Sequence, residues 1–317
     1  MTLLEQIEDC WNGNDAEKRT GTWATKLKAN KVKLTQAIKQ FKQWEPLGVY
    51  TSVTRGMRPN VTFSLRFHGQ EVAELAVKDT DVRLNVSKKT AGANSSWFGI
   101  SPELQGSWDW RGAEATEFRR QFKKASPVKF KSEEKRIEAA IIRELLGDSN
   151  KFAGTLKHAT PVLFAECPFQ FPLPISGHKG FPEVNNGGNG NIDILTKRGV
   201  GGASKLSVWE LKAPGAEKTH FPIEQAYIYT VTLLKMLRSP CGDIWHKDVL
   251  GYERALPEKL TIESVAVVCP KNEKDKHLFL NKFNQFKKDN CLTVGNDEVV
   301  PMVAFYQPDT LSIELVQ

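Results

Sequence analysis

The sequence predicts an α/β protein with two domains, an N-terminal α+β accessory domain for recognition over residues 1–128 and a second domain over residues 129–317. The first basis is length, because 317 residues are enough to bury two modest cores. The second is composition, since 40% hydrophobic and 26% charged residues are typical of a globular protein. The third is the order of patterns in the second half, where a helix, three strands, a helix and a strand follow one another.

The first domain is predicted to open with a basic, amphipathic helical segment over 2–44. Alternating apolar and polar residues then predict a hairpin with strands at 61–67 and 71–77, and a third strand at 82–86. The remaining predicted elements are a loop at 90–99, rich in Gly, Ser and Asn, and a polar helix that begins after Gly112 and is broken by Pro127.

The second domain is predicted to begin with a helix over 133–146, which Ser132 could cap and Gly147 could end. Pro222 suits the first turn of the second helix. The other predicted elements are, in order, strands at 162–166, 192–196 and 206–211, a helix at 222–237, and strands at 262–268 and 302–306.

A charged pair interrupts the apolar run at 206–211. Glu210 and Lys212 are two residues apart, so in a strand both side chains leave the same face of the sheet. Asp193 lies in the preceding apolar strand. Unpaired charges are costly in apolar strands, which favours a functional site over a structural salt-bridge cluster as the reason for these residues.

These residue types suit the hydrolysis of phosphodiesters. A Mg²⁺ ion held by one or two carboxylates can neutralise charge on a phosphate and help the leaving oxygen, and Mn²⁺ is expected to substitute for it. Asp193 and Glu210 could hold the ion, with the backbone carbonyl of Leu211 as a further ligand. Lys212 could act as a base or as an electrostatic stabiliser, and the sequence leaves both roles open.

The motifs Gly-x-x-Asp at 190–193, Glu-x-Lys at 210–212 and Gln-x-x-x-Tyr at 225–229 resemble the signature of the PD-(D/E)XK nuclease superfamily, particularly its RecB-like branch. The resemblance covers roughly 133–268. It implies a restriction-endonuclease-like core, a mixed four-stranded sheet flanked by helices, with metal at Asp193 and Glu210 and with Lys212 as the catalytic lysine.

The same resemblance implies roles for residues on two helices. A glutamate on the helix before the sheet completes the metal shell or its periphery in that superfamily, and Glu138 is our candidate, with Glu134 as its competitor. Gln225 and Tyr229 would face the site together, close to water on the metal or to the DNA end, and Tyr227 would point away.

Basic side chains are the predicted contacts to nucleic acid. The net charge of +7 and the pI near 9.0 favour a polyanionic partner only weakly, and the local clusters of basic residues are the stronger indication. Aromatic residues at Trp44, Phe118 and Phe122 accompany the clusters, whereas Trp108 and Trp110 could either stack on bases or belong to a strand core. The predicted contact residues are Lys26, Lys28, Arg119, Arg120, Lys123 and Lys124.

The sequence therefore predicts a Mg²⁺-dependent nuclease acting on DNA, with RNA as the other substrate class, in host defence, restriction or repair. The alternative is a non-catalytic nucleic-acid-binding or assembly subunit that retains the nuclease fold. We expect a cytoplasmic protein without a membrane segment, since neither a secretory signal nor a long apolar run is seen. A homodimer would suit double-strand cleavage, and an activating protein partner would suit a regulated effector.

Overall fold

A computed structural model gives the fold of the chain. It describes residues 1–13, 15–40, 44–54, 60–78, 81–91, 98–125, 132–147, 158–184, 190–199, 204–215, 219, 221–310 and 312–317. These residues form two compact units. The first unit comprises residues 1–28, 141–162 and 170–317, and the second comprises residues 29–140 and 163–169.

Seven helices and sixteen strands are seen within these ranges. The helices are α1 Leu3–Asn12, α2 Ala16–Ile38, α3 Lys88–Ala91, α4 Ala113–Lys124, α5 Glu133–Leu146, α6 Phe221–Arg238 and α7 Glu273–Asp289. The strands are β1 Gly48–Val53, β2 Val61–Phe67, β3 Gln70–Lys78, β4 Asp81–Val86, β5 Gly106–Asp109, β6 Ala159–Pro161, β7 Leu163–Phe164, β8 Cys167–Pro168, β9 Ile175–Ser176, β10 Glu183–Val184, β11 Ile194–Arg198, β12 Lys205–Leu211, β13 Thr261–Val268, β14 Thr293–Val294, β15 Asp297–Gln307 and β16 Ser312–Val316.

The second unit is built on an antiparallel meander in the order β1-β2-β3-β4-β5. The predicted hairpin is confirmed as β2 and β3, and its turn uses His68 and Gly69 with φ of 47° and 83°. Glycine suits the second position because a Cβ there would lie 1.9 Å from the Lys135 carbonyl oxygen. Helix α4 also forms as predicted, and its residues Phe118 and Phe122 are buried.

The first unit contains a mixed sheet in the order β14-β15-β13-β12-β11-β6, with β16 also paired to β15. Strands β6, β11 and β12 are antiparallel neighbours, whereas β12, β13 and β15 run parallel. The parallel pairing requires a crossover, and α6 supplies it between β12 and β13. The α/β class and the mixed sheet are thus as predicted.

Burial explains why α6 is apolar on nearly every side. It packs against β12, β13 and β15 on the sheet and also against α1. Thirteen of its eighteen residues are buried, among them Tyr227 and Tyr229. A helix that is covered on several sides cannot show the one-sided apolar stripe of a surface helix.

Three predicted elements differ in the structure. The strand at 162–166 is wrong, because Ala165 and Glu166 adopt φ of 50° and 64° and turn the chain between β7 and β8. The helical segment at 2–44 is two helices, broken after Asn12, and it ends at Ile38. Residues 90–91 of the predicted loop close helix α3, while residues 92–97 and Pro127 lie outside the described residues.

None of the helices seen in the described ranges combines the length and apolarity needed to cross a membrane.

Candidate functional site

The candidate site lies where β11 and β12 end. Ile194 pairs with Trp209, so the preceding residue Asp193 stands beside Glu210 on the neighbouring strand. On the side of β12 that faces β11, strand pairing has ended at this point, and the backbone N–H of Leu211 donates to Asp193 Oδ2 at 2.9 Å. The Asp193 side chain therefore continues the ladder and is held at the strand end by it.

Lys212 is fixed by its backbone on the other side of β12. Its N–H donates to the Val267 carbonyl at 3.0 Å, in the last pair of the parallel ladder between β12 and β13. Its ammonium forms an ion pair with Glu210 Oε1, so the two side chains share one face, as strand alternation predicts. Glu210 is 3% exposed and Lys212 is 20% exposed.

The Lys212 ammonium makes a second contact in the same place. Its Nζ donates to the Leu211 carbonyl oxygen at 3.0 Å, in addition to the Glu210 carboxylate. The Glu210 carboxylate and the Leu211 carbonyl are two of the oxygen groups predicted to bind a metal ion. They converge on a cation in this structure, and that cation is the lysine of the motif.

Helix α6 brings Gln225 and Tyr229 together on one face. Gln225 Nε2 donates to the Tyr229 hydroxyl at 3.0 Å, as expected for side chains one turn apart. Tyr227, which is predicted to point away from the site, donates from its hydroxyl to the Cys291 carbonyl at 2.5 Å.

Tyr229 senses the charge of the two carboxylates. Burial raises the pKa of its hydroxyl, the negative charge of Glu210 raises it further, and Asp193 adds to this effect. Hydrogen bonds from Gln225 and from the Gly177 backbone oppose the rise in pKa. The phenol is therefore protonated at neutral pH, and Tyr229 shares one electrostatic environment with Asp193, Glu210 and Gln225.

Gly177 is a part of this site that sequence reasoning missed. It precedes the short 3₁₀ turn His178–Gly180 and lies against α6. A Cβ at Gly177 would lie 3.1 Å from Gln225 Cγ and 3.3 Å from Ile228 Cδ1. The missing side chain lets the Gly177 N–H reach the Tyr229 hydroxyl. Gly177 lies 48 residues before Gln225 in the chain, so no local sequence pattern indicates this contact.

Glu138, the predicted metal ligand on α5, is held by two cations. Arg66 Nη1 lies 3.3 Å from Glu138 Oε1, and Lys135 Nζ lies 2.5 Å from Glu138 Oε2. The carboxylate is buried with the Arg66 guanidinium, so each charge compensates the other. Glu138 belongs to the second unit and Asp193 to the first.

The basic residues predicted to contact nucleic acid have different surroundings in the structure. On α4, Arg120 binds both carboxylate oxygens of Glu117 at 2.6 Å, and hydrogen bonds from Arg120 and then Gln121 lower the pKa of Glu117 to about 2. The Arg119 guanidinium lies 4.8 Å over the Trp44 ring. Lys123 and Lys124 are exposed at the end of the helix.

The α2 lysines and the predicted aromatic neighbours are also placed. Lys26 and Lys28 are exposed on α2, and Lys28 pairs with Asp248 at 3.1 Å. Trp44 is buried, as are Phe118 and Phe122, so these rings serve as core. Trp108 Nε1 donates to the Leu104 carbonyl at 3.0 Å, which ties that ring to its own unit.

Over the described residues, no three or more His, Cys, Asp and Glu side chains are grouped as a metal site. Asp193 and Glu210 are two carboxylates, and Mg²⁺ commonly uses one or two with several waters.

Comparison with known proteins returned no match to this chain among family models, curated protein sequences or solved structures. The fold and the contacts above are therefore the basis for the function.

Proposed function

We propose that this protein is a Mg²⁺-dependent nuclease that hydrolyses phosphodiester bonds of DNA at the site formed by Asp193, Glu210 and Lys212. One observation carries the proposal. The Glu210 carboxylate and the Leu211 carbonyl converge on a cation at the end of β12, beside Asp193 on the adjacent strand. Carboxylate and carbonyl oxygens on two rigid strands form the donor set that a hard divalent cation requires.

The charges of the site fit such an ion. Asp193 and Glu210 carry two negative charges, and Lys212 carries one positive charge. The negative excess acts on Tyr229, whose pKa is raised by both carboxylates in addition to burial. Asp193, Glu210 and the Leu211 carbonyl would hold the ion, which when bound supplies neutralisation of the phosphate and activation of water.

The chain's own residues define what happens around the substrate. Lys212 is a compact ammonium near the carboxylates and can stabilise the charge that develops on a phosphate. Gln225 and Gly177 hold the Tyr229 hydroxyl by donating to it, so its proton is directed away from them. Tyr229 and Glu210 are almost fully buried, so bulk water has little access to their side chains.

The order of elements supports a restriction-endonuclease-like core as part of the proposal. Helix α5 precedes the antiparallel strands β6, β11 and β12, after which α6 crosses to the parallel strand β13. The motifs imply a four-stranded mixed sheet with flanking helices, and we propose that β6, β11, β12 and β13 of this seven-stranded sheet are those four strands. Strand β6 takes the place of the predicted strand at 162–166.

The biological setting belongs to the same proposal. We place the protein in the cytoplasm and propose DNA as the substrate, with host defence, restriction or repair as the process. The exposed Lys123 and Lys124 are the residues of α4 best placed to meet phosphates, because Arg120 is already paired with Glu117. A homodimer or an activating protein would account for double-strand cutting or for regulated cutting.

Cleavage of labelled linear and circular DNA, single-stranded and double-stranded, with Mg²⁺, Mn²⁺ or EDTA tests the proposal. RNA is included as a separate substrate. Wild type should cut with either metal and not in EDTA, whereas Asp193→Asn and Lys212→Ala should not cut. Asp289→Asn, an exposed carboxylate at the end of α7, is the control and should cut like wild type.

The outcomes separate the two functions that the motifs allow. Binding of duplex DNA without cutting under every metal condition, and without divalent-cation binding at Asp193, would establish the non-catalytic subunit instead. Cutting that appears only after a cell extract is added would identify an enzyme that needs an activating protein.

A further inference from the structure

A pocket opens beside the start of β12, the strand that carries Glu210 near its other end. Its volume is about 740 Å³, within the range of about 300–1,000 Å³ that small-ligand sites occupy. Lys205 and Leu206 line it from the start of β12, whereas Glu210 and Lys212 lie at the end of that strand. Five residues of strand separate the two places by roughly 17 Å.

The wall of the pocket is strongly cationic. Among the residues that the structure describes, four basic side chains line it, Lys197, Lys205, Arg254 and Lys259, and Glu253 is the one carboxylate. Lys259 has a loose pair with Glu298 at 3.6 Å, which is an exposed contact and worth little. Such a wall favours a ligand that carries phosphate groups.

One of these cations is held in position. Lys197 Nζ donates to the Gly251 carbonyl at 3.2 Å and lies 4.2 Å from the centroid of the Tyr252 ring. The His246 ring stacks on Tyr252 with centroids 4.5 Å apart and an interplanar angle of 4°. Because the imidazole covers one face of Tyr252, the ammonium occupies the other. Neither face of Tyr252 is open to a ligand ring, so Tyr252 serves as a rigid wall.

His246 supplies a different chemical feature. It lines the pocket, is 4% exposed, and its Nδ1 has no hydrogen-bond partner within the part of the chain that the structure describes. Its ring bonds to the Arg254 backbone, and a carbonyl can only accept, so the proton lies on Nε2 and Nδ1 is an acceptor. Burial lowers the pKa of His246, which keeps this neutral form at pH 7. A buried acceptor without a donor is costly until a ligand hydroxyl or amine fills it.

We propose that this pocket binds a phosphorylated sugar of mononucleotide size, with its phosphate at Arg254 and Lys259 beside Lys197 and with a hydroxyl or amine donating to His246 Nδ1. The chemistry is shared by free nucleotides, by sugar phosphates and by a nucleotide of a nucleic acid strand. Free small molecules are favoured over a nucleic acid strand, because His246 is buried whereas Arg254 and Lys259 are exposed at the rim of the pocket. This inference is independent of the proposed nuclease activity.

Calorimetric titration of the full chain in EDTA tests the pocket without a metal at Asp193. The probes are adenosine monophosphate, ribose 5-phosphate, adenosine, inorganic phosphate and a single-stranded oligonucleotide. We expect adenosine monophosphate and ribose 5-phosphate to bind. Inorganic phosphate should bind at least about tenfold more weakly, and adenosine should not bind.

Two variants locate the binding. Arg254→Gln with Lys259→Gln, both exposed, should weaken ribose 5-phosphate by about tenfold or more. The charge-matched control, Lys271→Gln with Lys274→Gln, should leave it unchanged. His246→Phe keeps a ring on Tyr252 and should weaken ribose 5-phosphate while leaving inorganic phosphate unaffected. Circular dichroism checks that each variant is folded. If His246→Phe is unfolded, the variant with Arg254→Gln and Lys259→Gln tests the proposal by itself.

Three results would overturn the proposal. The first is equal affinity in wild type and in the Arg254 and Lys259 variant. The second is binding of inorganic phosphate with no preference for the sugar phosphate. The third is binding of the oligonucleotide alone, which would assign the cations to a nucleic acid track.

Discussion

The backbone N–H of Leu211 donates a 2.9 Å hydrogen bond to Asp193 Oδ2, at the point where β11 no longer pairs with β12. The carboxylate thus has a structural role in addition to its proposed role toward a cation. A substitution that removes only the charge should separate these roles.

Asp193→Asn should retain the fold and lose the chemistry. Its amide oxygen can still accept from Leu211, so the free energy of unfolding should change by less than about 1 kcal/mol. Cation-dependent cleavage should fall by at least about 100-fold, because loss of a group that only hydrogen-bonds to a metal ligand already lowers metal affinity or activity by about 10–100-fold. Asp193→Ala should lose about 1–3 kcal/mol in addition, because Leu211 N–H loses its acceptor. Urea unfolding and a cleavage assay measure both effects, and equal stability of the two variants would contradict the structural role.

Gly177→Ala should disturb the site from outside the motifs. The new Cβ would meet Gln225 Cγ at 3.1 Å and Ile228 Cδ1 at 3.3 Å, tighter than an ordinary contact. We expect a loss of about 1–3 kcal/mol in unfolding free energy and weaker cleavage, because Gln225 must shift.

Gly21→Ala is the matched control for that substitution. Gly21 lies within α2, and its Cβ would approach Cys241 Sγ at 3.9 Å, an ordinary contact. It should stabilise the protein by about 0.5–1 kcal/mol, as alanine does in a helix. Equal effects of the two substitutions in urea unfolding would show that packing at Gly177 is not special.

The elements that sequence reasoning placed well are those whose pattern is local. Strand alternation was sufficient to predict that Glu210 and Lys212 share a face, and their ion pair shows it. Helix α5 begins and ends at the predicted residues, and the hairpin at Gly69 has a turn glycine. In each case neighbours in sequence determine the contact.

The features that could not be predicted depend on residues far apart in the chain. The buried Glu263 forms an ion pair with the half-buried Arg198, 65 residues away in the chain, which explains a charge inside the apolar strand β13. Glu138 meets Arg66 across 72 residues. The turn at Ala165 and Glu166 uses positive φ without glycine, so no residue type marks it. Tertiary contacts decide each of these, and periodicity does not report them.

Tyr229→Phe should make stability less sensitive to alkaline pH. The pKa of Tyr229 is raised in the folded protein, chiefly by burial, from an ordinary value of 10.0. A group with a raised pKa contributes stability that is full below pH 10 and is lost as pH rises toward the folded value. The contribution changes by about 1.4 kcal/mol for each pH unit in that window.

The variant should therefore be less stable than wild type at pH 7, by about 1–3 kcal/mol, since Gln225 Nε2 and the Gly177 N–H lose an acceptor. Above about pH 10 the difference should shrink. Urea unfolding at a series of pH values measures it. A constant difference from neutral to alkaline pH would show that Tyr229 titrates normally.

The basic residues of α4 should not contribute equally to DNA binding. Lys123→Gln and Lys124→Gln should each reduce the slope of log affinity against log salt by about 0.9 if they meet phosphates. Arg120→Gln should leave the slope unchanged, because that guanidinium already binds Glu117 through both oxygens. Fluorescence anisotropy of a labelled duplex over a salt series measures the slopes. An equal loss in all three variants would show that DNA displaces Glu117 from Arg120.

Lys212→Met should make the protein depend on a divalent cation for stability. In EDTA the buried Glu210 carboxylate loses its partner charge, and we expect a loss of about 3–5 kcal/mol in unfolding free energy. Mg²⁺ should restore much of this, and should bind the variant more tightly than wild type, because the ammonium no longer competes for Glu210 and the Leu211 carbonyl. Cleavage should be lost, since the charge that stabilises the phosphate is absent.

Urea unfolding over a Mg²⁺ series distinguishes these effects, because a ligand that binds only the folded state stabilises it in proportion to RT ln(1 + [L]/Kd). Lys235→Met is the matched control. Lys235 is a lysine of similar exposure that pairs with Glu8 at 3.4 Å on α1, so its variant should gain nothing from Mg²⁺. If Mg²⁺ stabilises wild type, Lys212→Met and Lys235→Met alike, the oxygens around the Lys212 ammonium are not a cation site, and the pair with Glu210 is structural.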